Sequence, residues 1–552
     1  MKKRSSIMLS VSLAASMLAV GCSSNEPAQN NQAAPAPSDS SKETPTPQDQ
    51  HSKLLLLNNL KEPTSLDPPI GFDQISYDIL NNMMEGMTRL GKDNNPEPAA
   101  AKEWKISEDG KTYTFLLRDG IKWSNGDPVT AQDFEFAWKR LLDPQTASPA
   151  AFLGYVFEGG EAFGNGKGKA EDVKIKALDD KTLEVKLAYP APYLIHMVSN
   201  PAFFPVHKAT VEKDPKWAAD AKTILSNGPF KLTEWTHDSE VKMVKNENYW
   251  DAANVKLDGV TWKMIDDENT EYQMYQNEEL HTSGVPADMA DQLFKDNKVT
   301  VADSAGTSFY RFNVTKEPFD NVNIRKAFSM AIDRQTLVDY VLQVKQKPAF
   351  AFVSPGMADP AGGDFREVGG DYVKFDAAEA KKLLEQGMKE KGYKQLPEVT
   401  MSYSSGTTNE KVAQALQEMF KQNIGVDVKM QKMESKVLTA EQKKLQLQLS
   451  RSSFLPDFGD PINFIDGFQT GNPMNRTGWS NPKFDKLIKD AYNQPDNKKR
   501  FELMHEAEKT LFEDAPIAPL YFYNSTYLQS DKVEGIVRHA LGYMDLKWAD
   551  LK

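Results

Sequence analysis

Cysteine occurs once in the 552 residues, as Cys22 at the end of an export-type leader. Lys2, Lys3 and Arg4 precede an apolar run from Ile7 to Val20, too short to span a bilayer, which stops at Gly21-Cys22. Exported chains are often cross-linked, yet nothing beyond residue 22 of this one can form a disulfide within the chain. Burial and hydrogen bonding alone must hold the fold. About 500 residues exceed what one hydrophobic core usually organises, so two lobes with an elaboration are expected.

Residues 22–52 are rich in Ser, Asn, Gln, Pro and Ala and nearly free of large apolar side chains. Such a stretch cannot bury a core and predicts a flexible tether, with a span of roughly 30 Å for thirty residues. No later segment reaches 18 consecutive apolar residues, so no spanning helix is expected. Loss of Lys2, Lys3 and Arg4 with the leader takes the formal charge from −12 to −15, spread along the chain. That charge repels nucleic acid and anionic lipid headgroups, and neither is expected as a partner.

Local patterns predict an α/β body. Leu54 to Leu57 reads as a strand buried on both faces, ended by Glu62-Pro63-Thr64-Ser65-Leu66-Asp67-Pro68. Ile79, Met83, Met84 and Met87 recur at helical spacing. Thr112 to Arg118 alternates as a strand, and Thr130-Ala131-Gln132-Asp133 forms a capping box ahead of a helix carrying Phe134, Ala137, Trp138 and Leu141 on one face. Trp123 and Trp138 read as core. Val399 to Tyr403, a helix from about Glu410 to Ile424 stopped by Gly425, and Val426 to Met430 make a β-α-β unit.

Chemistry concentrates at Arg451-Ser452-Ser453-Phe454-Leu455-Pro456-Asp457-Phe458-Gly459-Asp460-Pro461. Leu445, Leu447 and Leu449 alternate with polar residues before it, predicting a half-buried strand that ends as the stretch begins. A Ser-Ser pair offers backbone groups, Phe454 offers a wall, and Arg451 and Asp457 place opposite charges six residues apart. This pattern suits a zwitterion, because a dry site holds each charge only by supplying its opposite.

The stretch resembles the ligand-binding segment of the peptide-binding lipoproteins of ABC importers, the oligopeptide and dipeptide permease receptors of solute-binding protein family 5. There it reads roughly Arg-x-Gly-Trp-x-Ala-Asp-Tyr-x-Asp-Pro. Arg451, Asp457, Asp460 and Pro461 match, Phe454 and Phe458 stand for Trp and Tyr, and Pro456 replaces Ala. The eighteen residues from Leu117 to Phe134 resemble the family signature almost position for position, and Asp320 to Arg334 resembles the helix opening its second large lobe. The whole chain looks closest to the dipeptide-permease receptors of Gram-positive bacteria. Gly21-Cys22 resembles a lipobox.

The resemblance implies a two-lobed periplasmic-binding-protein-like fold (type II, cluster C) with an extra third domain and a hinged Venus-flytrap cleft. Its parts would be a signal peptide at 1–21, a lipidated Cys22 with its tether at 22–52, lobe I from 53–84, 207–308 and 524–552, domain II at 85–206, and lobe III at 309–523. It implies a monomer on the outer face of the cell membrane, lipid-anchored through Cys22, that passes short peptides, a murein tripeptide among them, to an ABC permease. Asp457 would hold the peptide ammonium, and Arg451 would hold its carboxylate or pair with an acid at the lobe edge. Main-chain groups of Phe72, Asp73 and Gln74 on one wall and of Ser453, Phe454 and Leu455 on the other would pair with the peptide as added strands. Ser283 and Tyr523 would complete the contacts.

Rival readings are a receptor for a metal chelate, haem or oligosaccharide, and a secreted glycoside hydrolase. The seven histidines include no pair within five residues, so no helical metal pair is expected. No Gly-x-Ser-x-Gly, P-loop or Rossmann fingerprint occurs, no carboxylates are visibly paired for glycoside cleavage, and neither cofactor nor enzymatic activity is expected.

Overall fold

The structure, a computed structural model, describes residues 52–552, so Cys22 and the leader lie outside the described residues and most of the tether does too. Three sheets organise them. In the first, Leu54–Asn58 pairs parallel with Gly259–Lys263, followed antiparallel by Glu240–Lys245 and Phe230–Thr236. Leu54 to Leu57 departs from the expected strand buried on both faces. It forms the sheet edge, with Leu55 and Leu57 fully buried and Leu54 40% exposed. His281 covers that edge, its N–H donating to Leu56 C=O and its Nδ1 accepting from Leu56 N–H.

The second sheet, Ala101–Ile106, Thr112–Leu117, Thr182–Lys186 and Ile175–Ala177, carries the helix Ala131–Leu142. The predicted box starts that helix, Thr130 N–H donating to the Asp133 carboxylate at 2.9 Å. Trp123 and Trp138 are fully buried; Trp138 stacks on Phe157 with centroids 5.4 Å apart and donates its indole N–H to Phe203 C=O at 2.7 Å.

The third sheet has seven strands. The predicted β-α-β unit is present: Val399–Ser404 and Val428–Met433 pair parallel around the helix Thr407–Ile424, which Gly425 ends at φ 70°. Its core packs Met401 and Leu449 of the sheet against Ile324, Phe328, Leu384, Leu416 and Phe420 of the helices.

Two thirteen-residue strands, Thr300–Phe312 and Ile517–Gln529, run antiparallel through this sheet and beyond it. Residues 307–311 pair with 517–522 in the body of the sheet, while residues 300–303 pair with 524–527 and lead to the short strand Thr282–Ser283. The register breaks between Asp303 and Thr307. Gly306 sits in the break at φ +144°, where a Cβ would lie 2.7 Å from Phe454 O, so only glycine fits without strain. The chain end packs back on the helix Gln74–Met83 and the residues after it: Asn81 and Asn82 donate to Met544 C=O, and buried Arg89 bridges Glu85 and Asp545.

Asp460 and Arg500 form a buried bidentate pair at 2.6 and 2.9 Å, which ties the end of the 451–461 stretch to the helix Asn497–Asp514. Removing one partner of such a pair strands a buried charge. Arg500→Met is expected to lower unfolding free energy by about 3 to 5 kcal/mol in urea titrations, and adding Asp460→Asn should restore part of it. An equal loss in the double variant would locate the defect elsewhere.

Candidate ligand-binding site

The 451–461 stretch does not follow a strand; it contains one. The strand is Leu449–Phe454, and Leu445, expected within a strand, lies in a turn at φ 54°. The leucine alternation from 445 to 449 misleads because Asn313 Nδ2 holds the carbonyls of Leu445 and Leu447 in an irregular connection. Leu449–Phe454 pairs along its length with Thr307–Phe312, but on its other side only Leu449 and Ser450 pair, with Met401 and Ser402. Gln442 Nε2 takes up Arg451 C=O at 2.9 Å. From Ser452 to Phe454 that edge has no strand partner among the described residues.

Alternation puts Arg451 and Ser453 on one face and Ser452 and Phe454 on the other. Arg451 stands opposite Tyr310 and donates to the Tyr523 hydroxyl at 3.4 Å. Ion-paired arginines are Arg89, Arg140, Arg366 and Arg500; half-buried Arg451 has no acid among the described residues, contrary to the lobe-edge alternative. Phe454 is half-buried, its ring packed on Phe464 at 5.0 Å and Phe352 at 5.9 Å. Leu455 is 62% exposed at the strand end.

Asp457 is held by its backbone, and Asn463 is the one side chain that hydrogen-bonds its carboxylate among the described residues. Its N–H donates to Asn463 Oδ1 at 2.7 Å, and its C=O accepts from Asn200 Nδ2 at 3.2 Å. Next to it Phe458 stacks on Tyr193 with centroids 4.8 Å apart, and Gly459 N–H donates to His196 Nδ1. The carboxylate has no cationic partner among the described residues, and burial pushes its pKa up to about 6. Its charge helps raise the pKa of Tyr77 and of Asp466.

Phe72, Asp73 and Gln74 are not a strand edge. Asp73 caps the helix Gln74–Met83, its carboxylate accepting from Ser76 N–H and Oγ–H, both at 2.9 Å, and from the Thr64 hydroxyl. Its carbonyl accepts from Tyr77 N–H, and Phe72 N–H donates to Ile70 C=O. The helix start thus engages Phe72 N–H and Asp73 C=O on this wall. The wall offers the Phe72 ring, edge-on to Tyr77 and Phe152, and the exposed Gln74 side chain, bonded to Asp78 and to Gly542 C=O. Ser283 is buried, with its hydroxyl on Gly284 C=O, opposite Leu528. Five residues of strand separate Leu528 from Tyr523, roughly 17 Å, and no hydrogen bond joins Ser283 to the other candidates. Tyr77, Asn200 and Asn463, which shape the Asp457 surroundings, carried no motif that would single them out. Among the described residues no cluster of three His, Cys, Asp or Glu side chains is placed to hold a metal ion.

The model of the bacterial extracellular solute-binding proteins, family 5 (middle), matches residues 95–476. The dipeptide-binding protein DppE of Bacillus subtilis is 56% identical over 498 residues, covering 90% of this chain and 92% of that protein. Among solved structures, OppA of Listeria monocytogenes bound to peptide has a TM-score of 0.72 at 33% identity, over 91% of this chain and all of that one. The murein tripeptide binding protein MppA in its unliganded open form has a TM-score of 0.80 at 30% identity, over 91% of this chain and 98% of that one. Signature, fold and similarity across nine-tenths of the length agree: the chain belongs to the bacterial extracellular solute-binding proteins of family 5.

Proposed function

We propose that this protein captures short peptides and delivers them to an ABC importer, without transforming them. The observation that carries this reading is the pair of unpartnered opposite charges, Asp457 and Arg451, flanking an unpaired strand edge. A peptide lying along Ser452 to Leu455 finds backbone groups for its own, Asp457 for its ammonium and Arg451 for its carboxylate. Backbone pairing ignores side-chain identity, so di- to oligopeptides and a murein tripeptide share this mode. The likeness to peptide and murein-peptide binders supports the reading over a chelate, haem or sugar ligand and over glycoside cleavage. We further propose that Cys22 carries a lipid and Ser23 onward a tether, placing a monomer on the outer face of the cell membrane, with 53–84, 207–308 and 524–552 as lobe I, 85–206 as domain II and 309–523 as lobe III.

Asp457 also sets a pH dependence. The free carboxyl titrates near 6, and a bound ammonium favours its ionised form, so binding is complete above that pH and releases a proton below it. Calorimetry is expected to show affinity falling up to tenfold per pH unit below about 6, and falling again above about 8 as the peptide amine deprotonates. Asp457→Asn should weaken a tetrapeptide by about 2 to 5 kcal/mol and flatten the acid limb, and N-acetylation of the peptide should do the same to the parent. If acetylated and free peptides bind alike, Asp457 does not hold the amine. For the anchor, Cys22→Ala in the producing cell is expected to move the protein from the membrane fraction to the medium; retention in the membrane would refute lipidation at Cys22.

A further inference from the structure

Three buried arginines, Arg311, Arg325 and Arg334, have no acid among the described residues. Arg325 and Arg334 are satisfied by main-chain carbonyls, of Phe319, Asp514 and Ala515 and of Ser329, Ile332 and Pro519. Arg311 is not. Its Nε donates to Ser452 Oγ at 3.1 Å, its Nη1 is buried without an acceptor, and its guanidinium lies against Phe309 and Phe468. Arg476, half-buried and also without an acid, has an orphaned Nε and one polar contact, to Met474 Sδ at 3.5 Å. Burial and the charge of Arg476 push the Arg311 pKa down to about 9, so it stays cationic at neutral pH. Two cations with orphaned N–H groups and no ion-paired acid among the described residues suit an anion, with Arg311 anchored on Ser452.

Its place in the fold names the anion. Ser452 belongs to the strand whose edge is open, and Arg311 reaches it from the strand on the opposite side. A strand added at the open edge would lie about 4.8 Å away, with alternate side chains on the Ser452 face and their Cβ atoms roughly 5 Å from that of Ser452. Serine is small, so an acidic side chain can pass over it towards Arg311. We infer that Arg311, Arg476 and the Ser452 hydroxyl form a subsite for a second carboxylate of the bound peptide, an Asp or Glu side chain, separate from the terminal carboxylate at Arg451. This rests on the peptide-binding reading.

Calorimetry of the full chain, freed of co-purifying ligand, with Ala-Glu-Ala-Ala and Ala-Ala-Glu-Ala against their Gln counterparts tests it. Glu is expected to bind about tenfold or more tightly than Gln at one of the two positions and little differently at the other, because strand side chains alternate in face. Arg311→Met should abolish the preference while leaving the Gln peptides bound, and Arg476→Gln should reduce it. Equal affinity of Glu and Gln peptides at both positions, with all four binding, overturns the subsite and leaves peptide capture standing; so does a preference that survives Arg311→Met. If no tetrapeptide binds, the peptide reading fails and the subsite with it. Should Arg311→Met not fold, the parent comparison and Arg476→Gln still decide.

Discussion

The ladder between Thr300–Phe312 and Ile517–Gln529 is the constraint on which this molecule depends. Two long strands carry the hydrogen-bonded ladder from the third sheet out to Thr282–Ser283, with register shifts between Asp303 and Thr307, around Gly306, and between Ser308 and Phe309. A ladder resists shear between its strands, and a break in register lets it bend. Gly306 packs against Phe454, Leu455 and Tyr523, so the irregular point of the ladder touches the residues that line the open edge.

Around this ladder the charges divide into two groups. Arg500 with Asp460, Arg366 with Glu508, and Arg89 with Glu85 and Asp545 are buried and paired. They pin loops and helices, and in a chain without disulfides beyond residue 22 they add directional ties to a core held by burial. Asp457, Arg451, Arg311 and Arg476 are desolvated or half-buried and unpaired. Such charges cost stability in the free protein and recover it only when a ligand supplies their opposites. Asp460, which is ion-paired, lies three positions after Asp457, which is not. The fold rigidly positions the one so that the other can remain free.

Much of the architecture was legible from local patterns because local forces make it. Thr130 to Asp133 caps its helix by contacts within four residues, Gly425 stops its helix through its own φ, and the β-α-β unit follows from periodicity. The readings that missed share one cause, dependence on neighbours distant in the chain. Leu54 to Leu57 looked doubly buried but lies at an edge covered by His281, 225 residues away. Leu445 and Leu447 alternate like a strand but are held out of one by Asn313. Phe72 to Gln74 are placed on the cleft wall by resemblance, and the structure adds that they open a helix, which engages Phe72 N–H and Asp73 C=O.

For the site, the sequence by itself determined the inventory: a cation and an anion six residues apart in a family motif, with a serine pair between them. Tertiary structure alone decided which of these charges is free. Pairing is a question of what stands opposite, and the partners that satisfy Asp460 and Asp73, or fail to appear beside Asp457, Arg451 and Arg311, come from other strands and helices. It also decided that the edge beyond Ser450 is open, because that depends on where Val399–Ser404 diverges. A one-dimensional pattern encodes which groups are present; only the packed chain determines which of them still need a partner.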